Sequence, residues 1–371
     1  MHMFIRLAVV TIISFISFSS LLAQSTEVVQ LGGPYAVKRS DLLPENLTSE
    51  RSLVIISTPT VIIDNVPCID KWKEMVLSVH PTLRKIGVDP IAYIHITDLM
   101  SGAEITAKYH SLLVLRRVEN ILVFTKTNNE EATNYQLMVT SYAGNGTFIK
   151  QGQDVWEETY TDINRLMLRM GRQVLRQKLV RSNFLVPESP EYLEDLPIFN
   201  GTKYENFPSR LLNQKLAVVP FSKVEIEGVK DEAALSIINQ YNGEVEASNE
   251  RLVEIMKSYP YKYEIVNKIK MEELYQAGFQ YVLMSITSSG ESAKRMLNYS
   301  TISKETHHMI SSFDNNSVPV LVKTPSRALV TKYYIKQTIV NDLHTGIAWD
   351  AGLNWEEGLK NFLGNLNQTI K

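Results

Sequence analysis

Twice along this chain a short, unbroken apolar run is followed by a long stretch of helical periodicity and then by further apolar runs. The first run, SLVIIS at 52–57, has no polar alternation and is rich in β-branched residues, the pattern of a strand covered on both faces of a sheet. After it, Trp72, Met75, Val76, Val79 and Leu83 step by three and four, and Gly87 is placed to end that helix. A doubly buried strand next to an amphipathic helix restricts the chain to layered α/β architectures. The second run, LAVVPF at 216–221, starts the same order again.

In the first half the pattern continues with a strand at 91–96. Asp98 is expected to cap a helix reaching about Arg117. Strands follow at 121–126 and 135–143, then a Gly144-Asn145-Gly146 hairpin signal, a short strand at 147–150 and an amphipathic helix at 161–179. In the second half a helix is expected over 231–259, interrupted near Asn242-Gly243. It precedes a strand at 263–266, a helix at 271–277 closed by Gly278, and a strand at 281–287. A strand at 331–341, a turn at 342–346 and IAWDA at 347–351 then read as a hairpin, and Asn354 caps a final helix.

The predicted fold class is therefore α/β (α+β): two similar domains, each a four- to five-stranded mixed sheet packed against helices. The expected divisions are an extended arm at 24–50, a first domain at 51–182, a linker at 183–212 and a second domain at 213–371. Pro187, Pro190, Pro197 and Pro208 mark the linker. Residues 288–325, rich in Ser, Thr and Asn, read as a long insertion loop, either a binding segment or a mobile one.

Residues 1–23 carry the pattern of a cleavable secretory signal: Arg6, a serine-diluted apolar core, and Ala23 at the cut. The core is short of the roughly 20 residues needed to span a bilayer. The ending SLLAQ resembles signal peptides of Bacteroidetes bacteria, and the expected location is periplasmic, soluble after cleavage. Lys and Arg number 38 against 40 Asp and Glu, so no basic field exists to hold a nucleic-acid backbone. Cys68 is the single cysteine, which excludes an intrachain disulfide.

The second half carries KLAVVPF at 215–221, YEIV at 263–266, AGFQYVLMSIT at 277–287 and VNDLHTGIAWD at 340–350. Over 215–366 this resembles a small α/β domain shared by bacterial envelope proteins. Its members include the TolB amino-terminal domain, the lipoprotein activators of penicillin-binding proteins and the periplasmic part of the curli secretion channel. The chain departs from the family at Phe279-Gln280, where Ala-Asp is usual, and in the insertion. The resemblance implies a docking domain in an envelope assembly with no catalytic residues to carry over.

The residues point the same way. There is no glycine-rich phosphate loop and no Gly-x-Ser-x-Gly elbow. His307-His308 reads as part of a solvated loop, His95 as a half-buried strand residue with one hydrogen bond, and His344 as an exposed turn residue. Cys68 reads as a loop thiol near a helix start, where the dipole would lower its pKa. The acidic pairs at 130–131, 157–158, 272–273 and 356–357 fit turns and first helical turns. Arg165, Arg169, Arg172 and Arg176 recur at helical spacing, with Arg181 beyond them, as a basic stripe for an anionic partner or a membrane surface, or a solvated face paired with Glu. Tyr261 and Tyr263 belong to a surplus of tyrosines of the kind favoured at interfaces.

The expectation is a non-catalytic exported scaffold or adaptor, without cofactor, metal or nucleic acid, that docks to envelope proteins and touches membrane peripherally at most. The alternatives are a two-lobed periplasmic solute-binding protein and a hydrolase with an unrecognised site. Amino-terminal sequencing of the exported protein should begin at Gln24; a membrane-bound product that retains Met1 would contradict the signal reading.

Overall fold

The structure, a computed structural model, describes residues 37–369 apart from 129–131, 145, 151, 196–197, 200, 225, 227–231, 268–269, 303–304 and 314–317. The signal segment, residues 24–36 of the expected arm and the acidic pair at 130–131 lie outside the described residues.

The first sheet contains β1 (Lys38–Ser40), β2 (Arg51–Ser57), β5 (Asp89–His95), β6 (Val118–Asn128), β7 (Thr133–Ser141) and β8 (Asp154–Tyr160). Its spatial order is β5-β2-β6-β7-β8-β1. The second sheet contains β9 (Lys203–Tyr204), β10 (Leu216–Val218), β11 (Tyr263–Ile265), β12 (Tyr281–Ser289), β15 (Leu329–Gln337) and β16 (Leu343–His344), in the order β11-β10-β12-β15-β16-β9.

The two orders are the same. In each sheet the strand that opens the unit is central to a parallel pair on either side, two antiparallel pairings follow, and a segment from before the unit adds the last strand in parallel. The repeat inferred from element order is thus a repeat of topology. Each sheet has six strands rather than four or five, because β1 and β9 enter from the preceding segments.

Helices follow the same plan. α1 (Trp72–Ile86) and α4 (Ile163–Gln177) cover one face of the first sheet, while α5 (Glu232–Met256) and α8 (Trp355–Thr369) cover the matching face of the second. Val54, Ile56, Leu122 and Phe124 point into the first of these cores, Leu216, Val218, Leu283 and Ile335 into the second. α6 (Met271–Gln276) covers only a small patch around Ala217, Val266 and Val282.

The other face of the first sheet is covered by α2 (Ile96–Leu99) and α3 (Ala103–Leu115), and these serve the second sheet too. Ile105, Tyr109 and Leu113 of α3 share one buried cluster with Ile55 and Ile94 on one side and Ile286, Val330 and Tyr334 on the other. The two units therefore meet through a joint core as well as packing their own.

What joins them is what is not repeated. The first unit inserts a hairpin, β3 (Thr60–Ile63) and β4 (Val66–Ile69), after β2. The second inserts α7 (Gly290–Met296) and a hairpin, β13 (His307–Phe313) and β14 (Pro319–Pro325), after β12. Cys68 forms an antiparallel bridge to Ala328, Ile69 N–H donates to the Arg327 carbonyl, and Asp64 bonds His307 at 2.9 Å. The 288–325 insertion is thus ordered and packed over most of its length, correcting the loop expectation; its isoleucine and alanine side chains (Ala293, Ile310) complete the joint core.

Other expectations are corrected on physical grounds. Asp98 does not cap a long helix: α2 stops at Leu99, and Gly102 precedes α3. α5 runs unbroken past Gly243, because Asn242 and Asn249, two turns apart, each bond both the N–H and the carbonyl of one residue in the segment after β10. The strand expected at 147–150 is a single bridge between Gly144 and Thr147, and the fifth strand is β8. IAWDA forms no strand; β16 at Leu343–His344 makes the antiparallel pair instead.

The segment expected as a linker is bonded to both sheets. Tyr192 forms a parallel bridge to Tyr93 on the outer edge of β5, and farther on β9 pairs with β16. Gly102 marks the closest approach between units: a Cβ there would lie 2.9 Å from the Ser285 carbonyl of β12. Gly102→Val should cost about 1–3 kcal/mol by overpacking, read as a lower urea midpoint, whereas Gly243→Ala, which meets open space, should leave the midpoint unchanged or raised.

Candidate functional site

Polar side chains converge where the carboxyl ends of β2 and β5 meet α7 of the other unit. His95 ends β5, Asp98 sits in α2, Trp72 and Lys73 begin α1, Ser292 and Arg295 lie on α7, and Glu194 comes from the inter-unit segment. They line a cavity of about 280 Å³ together with Asp70, Glu291 and Arg327. Open α/β sheets place ligands at such strand ends.

Asp98 is fully buried, and burial pushes its carboxyl up to about 6. It accepts from the Ser292 hydroxyl at 3.0 Å and from the Ser288 hydroxyl, both from the second unit. Arg295 meets Glu194 at 3.0 Å, and Lys73 closes on the same carboxylate from the first unit. His95 is bonded on both ring nitrogens, to Thr58 at 3.1 Å and Thr97 at 2.8 Å, and burial pulls its pKa down to about 3. It is neutral and occupied, so it does not serve the neighbouring serines as a base. Asp98, Glu194, Lys73 and Arg295 are thus each bonded to another group of the junction.

A second buried pair braces the end of the second sheet. Lys332 on β15 and Asp350 are both fully buried and meet at 2.5 Å. The ammonium donates to the carbonyls of Tyr333 and Thr345, at 2.7 and 2.9 Å. Burial pulls Lys332 down and pushes Asp350 up, each opposed by the charge of the other. Tyr299 donates to the Thr345 carbonyl at 3.0 Å. The Asp-x-x-Thr-Gly segment is held in place by these two side chains.

The expected interaction residues divide. Arg165, Arg172 and Arg176 are exposed on α4, and Arg169 pairs with Glu158 at 2.8 Å. Leu168 and Leu175 are exposed beside them, so the stripe is mixed basic and apolar. Tyr261 and Tyr263 are partly buried beside β11, ringed around the buried Tyr259 at 5.6 and 6.2 Å. Tyr333 and Tyr334 are core residues.

Four further expectations are corrected. His307 and His308 lie on β13: the first bonds Asp64, the second is buried between Lys294 and Glu305. His95 is buried with two bonds rather than half-buried with one. His344 is buried, stacked on Tyr204 at 5.1 Å and bonded to the Asn206 carbonyl. Cys68 is a buried β4 residue, and burial pushes its thiol up rather than down. Of the acidic pairs, 272–273 and 356–357 open α6 and α8, while 157–158 lies in β8, where Glu157 bonds Gln136. Among the described residues no three His, Cys, Asp or Glu side chains converge as metal ligands.

The Asp98 and Glu194 clusters escaped sequence reasoning. Ser-Ser-Gly-Glu-Ser at 288–292 reads as a turn, and nothing local couples it to an aspartate 190 positions away.

Fold and junction together define a class: a tandem α/β protein whose two units share one topology and are joined by their unequal insertions. No family model, curated protein or solved structure matches this chain.

Because Asp98 has a folded-state pKa above its ordinary 3.8, the native state binds the extra proton between that value and about 6. Its contribution to stability is largest below that window and is lost as pH rises through it. Asp98→Asn should flatten this part of the stability–pH curve. Asp98→Ala should cost about 1–3 kcal/mol at any pH by stranding the Ser288 and Ser292 hydroxyls, measured by urea unfolding.

Proposed function

We propose that this chain is a non-catalytic, exported scaffold or adaptor of the bacterial envelope that docks to other proteins of that compartment. The observation that carries the reading is the junction between the units. Groups that could perform chemistry there are already held: Asp98 by two serines and Glu194 by Lys73 and Arg295 across the junction, His95 by two threonines of its own unit. A group already held by a full set of partners positions its neighbours and is not poised to react. The junction is thus an adhesive, and the features left to outside molecules are surfaces. These are the Arg165–Arg172–Arg176 face of α4, the exposed Val320, Leu321 and Val322 of β14, and the tyrosine-rich margin of β11.

The signal-like leader and the resemblance of 215–366 to envelope docking domains favour the same compartment and role. Among the described residues no helix is long and apolar enough to cross a membrane. The reading as a two-lobed solute binder is less well supported. Its cleft would lie where Ile105, Tyr109, Ile286 and Tyr334 fill the space, leaving a rim cavity of about 280 Å³, below the usual 300–1,000 Å³ of ligand pockets.

The test is photo-cross-linking in the living cell, with the cross-linker placed at Arg172, Tyr275 or Leu321 in turn. Discrete heteromeric adducts in the envelope fraction are expected from at least one face. Adducts from none, together with a solute from periplasmic extract that raises Tm, would overturn the adaptor reading in favour of the solute binder.

A further inference from the structure

The two units can be superposed strand for strand, and this exposes one difference at corresponding sheet edges. In the first sheet, Val54 of the central β2 pairs with Tyr93 of the edge strand β5. In the second, Leu216 of β10 pairs with Tyr263 of the edge strand β11. Val54 and Leu216 both point into the core on the α1/α4 or α5/α8 side. Tyr263 therefore lies on the same face of its edge strand as Tyr93 does of its own.

The edge at Tyr93 is covered. Its outward N–H donates to the Glu191 carbonyl at 2.8 Å, and Tyr192 makes a parallel bridge to it. The Tyr192 ring packs on Tyr93 and Trp72, and the Glu191 carboxylate meets Arg116 at 2.5 Å. Glu191 and Tyr192 thus make one parallel, strand-like bridge on that edge before the chain turns into a 3-10 helix at Leu193–Asp195.

The edge at Tyr263 has no described counterpart. Leu216 N–H donates to the Lys262 carbonyl and Val266 N–H to the Val218 carbonyl, so residues 262 and 266 face β10. By the alternation of a parallel ladder, Tyr263 and Ile265 present their N–H and C=O groups outward. β11 ends its sheet. A groove of about 840 Å³ runs beside it, lined by Lys215, Lys262, Glu264, Ile265, Gly278 and Phe279. Lys215 is tied to Glu264 at 2.8 Å, which leaves Lys262 as the cation in excess among the described lining residues, exposed at the entrance to β11.

We propose that the β11 edge binds an extended acidic peptide of a partner protein as an added parallel strand, extending within the second unit the bridge by which β5 holds residues 191–192. Backbone pairing to Tyr263 and Ile265 supplies the affinity, Lys262 selects an acidic side chain, and the Tyr263 ring receives an aromatic one. This assigns Tyr261 and Tyr263 a shared role at one margin. It rests on the adaptor reading and names the kind of partner.

The experiment uses the full mature chain and a fluorescein-labelled peptide copying residues 188–195, ESPEYLED, with a benzophenone for mapping. Saturable anisotropy is expected, with cross-links confined to 262–267. Lys262→Glu should weaken binding about tenfold, the size of one charge-assisted contact. Tyr263→Pro, which removes both the outward N–H and the receiving ring, should abolish binding. A peptide N-methylated at alternate residues should also fail, a readout independent of how any variant folds. Absent binding, cross-links on β5, or equal binding of the N-methylated peptide would overturn the proposal. Envelope adducts from Arg172 alongside a silent β11 edge would sink this edge and spare the adaptor reading; no adducts from any face would sink the adaptor reading itself.

Discussion

The structure depends on a shortage of cover. Each sheet has two faces to remove from water, and the second unit's own crossover helix, α6, reaches only the patch around Ala217, Val266 and Val282. The inner faces of β12 and β15, with Ile286, Val330 and Tyr334, are covered by α7 of the same unit together with α2 and α3 of the first. One helical layer is thereby shared by two sheets, and neither unit is closed without the other. Close packing of that layer is what favours glycine at 102, since a Cβ there would crowd the β12 backbone at Ser285. It also explains why Asp98 must find two hydroxyl donors there, because an unpaired carboxyl at that depth would be costly.

Repetition and divergence divide the work. Strand order, strand sense and the helix on each crossover are the same in both units, which builds two sheets. The insertions differ, and they supply the adhesion: β4 bridges to Ala328, Asp64 reaches His307, and α7 brings Ser288, Ser292 and Arg295 to Asp98 and Glu194. The proline-rich segment between units does double duty. Its prolines suppress helix and leave an extended backbone whose free groups are satisfied by sheet edges, at β5 first and at β16 as β9.

This arrangement places the functional surfaces on the outside. The junction pairs Asp98 and Glu194 internally, and Lys332 with Asp350 consumes another pair in holding the 343–350 segment. The α4 face mixes Arg165, Arg172 and Arg176 with Leu168 and Leu175, a composition suited to an anionic surface with apolar character. The β11 margin instead offers backbone groups, and an edge strand with free N–H and C=O groups is a template for another chain.

The alternation of apolar runs and helical stripes was enough to place most strands and helices, because burial on a sheet or under a helix imposes periods that a sequence displays directly. SLVIIS, the 72–86 stripe with Gly87, and Asn354 before α8 act within a few residues of themselves, so their roles are legible locally. The sixth strands, β1 and β9, are too short to carry a period and exist only because a neighbouring edge was open. Asp98, Glu194, Lys332 and His344 looked like a cap, a linker residue, a strand residue and a turn residue, and each is buried. Their partners lie across the chain, and pairing at that distance is decided by packing alone. Local periodicity thus determined what the units are, while the shared layer between the sheets decided how they join, because its contacts link residues far apart in the chain.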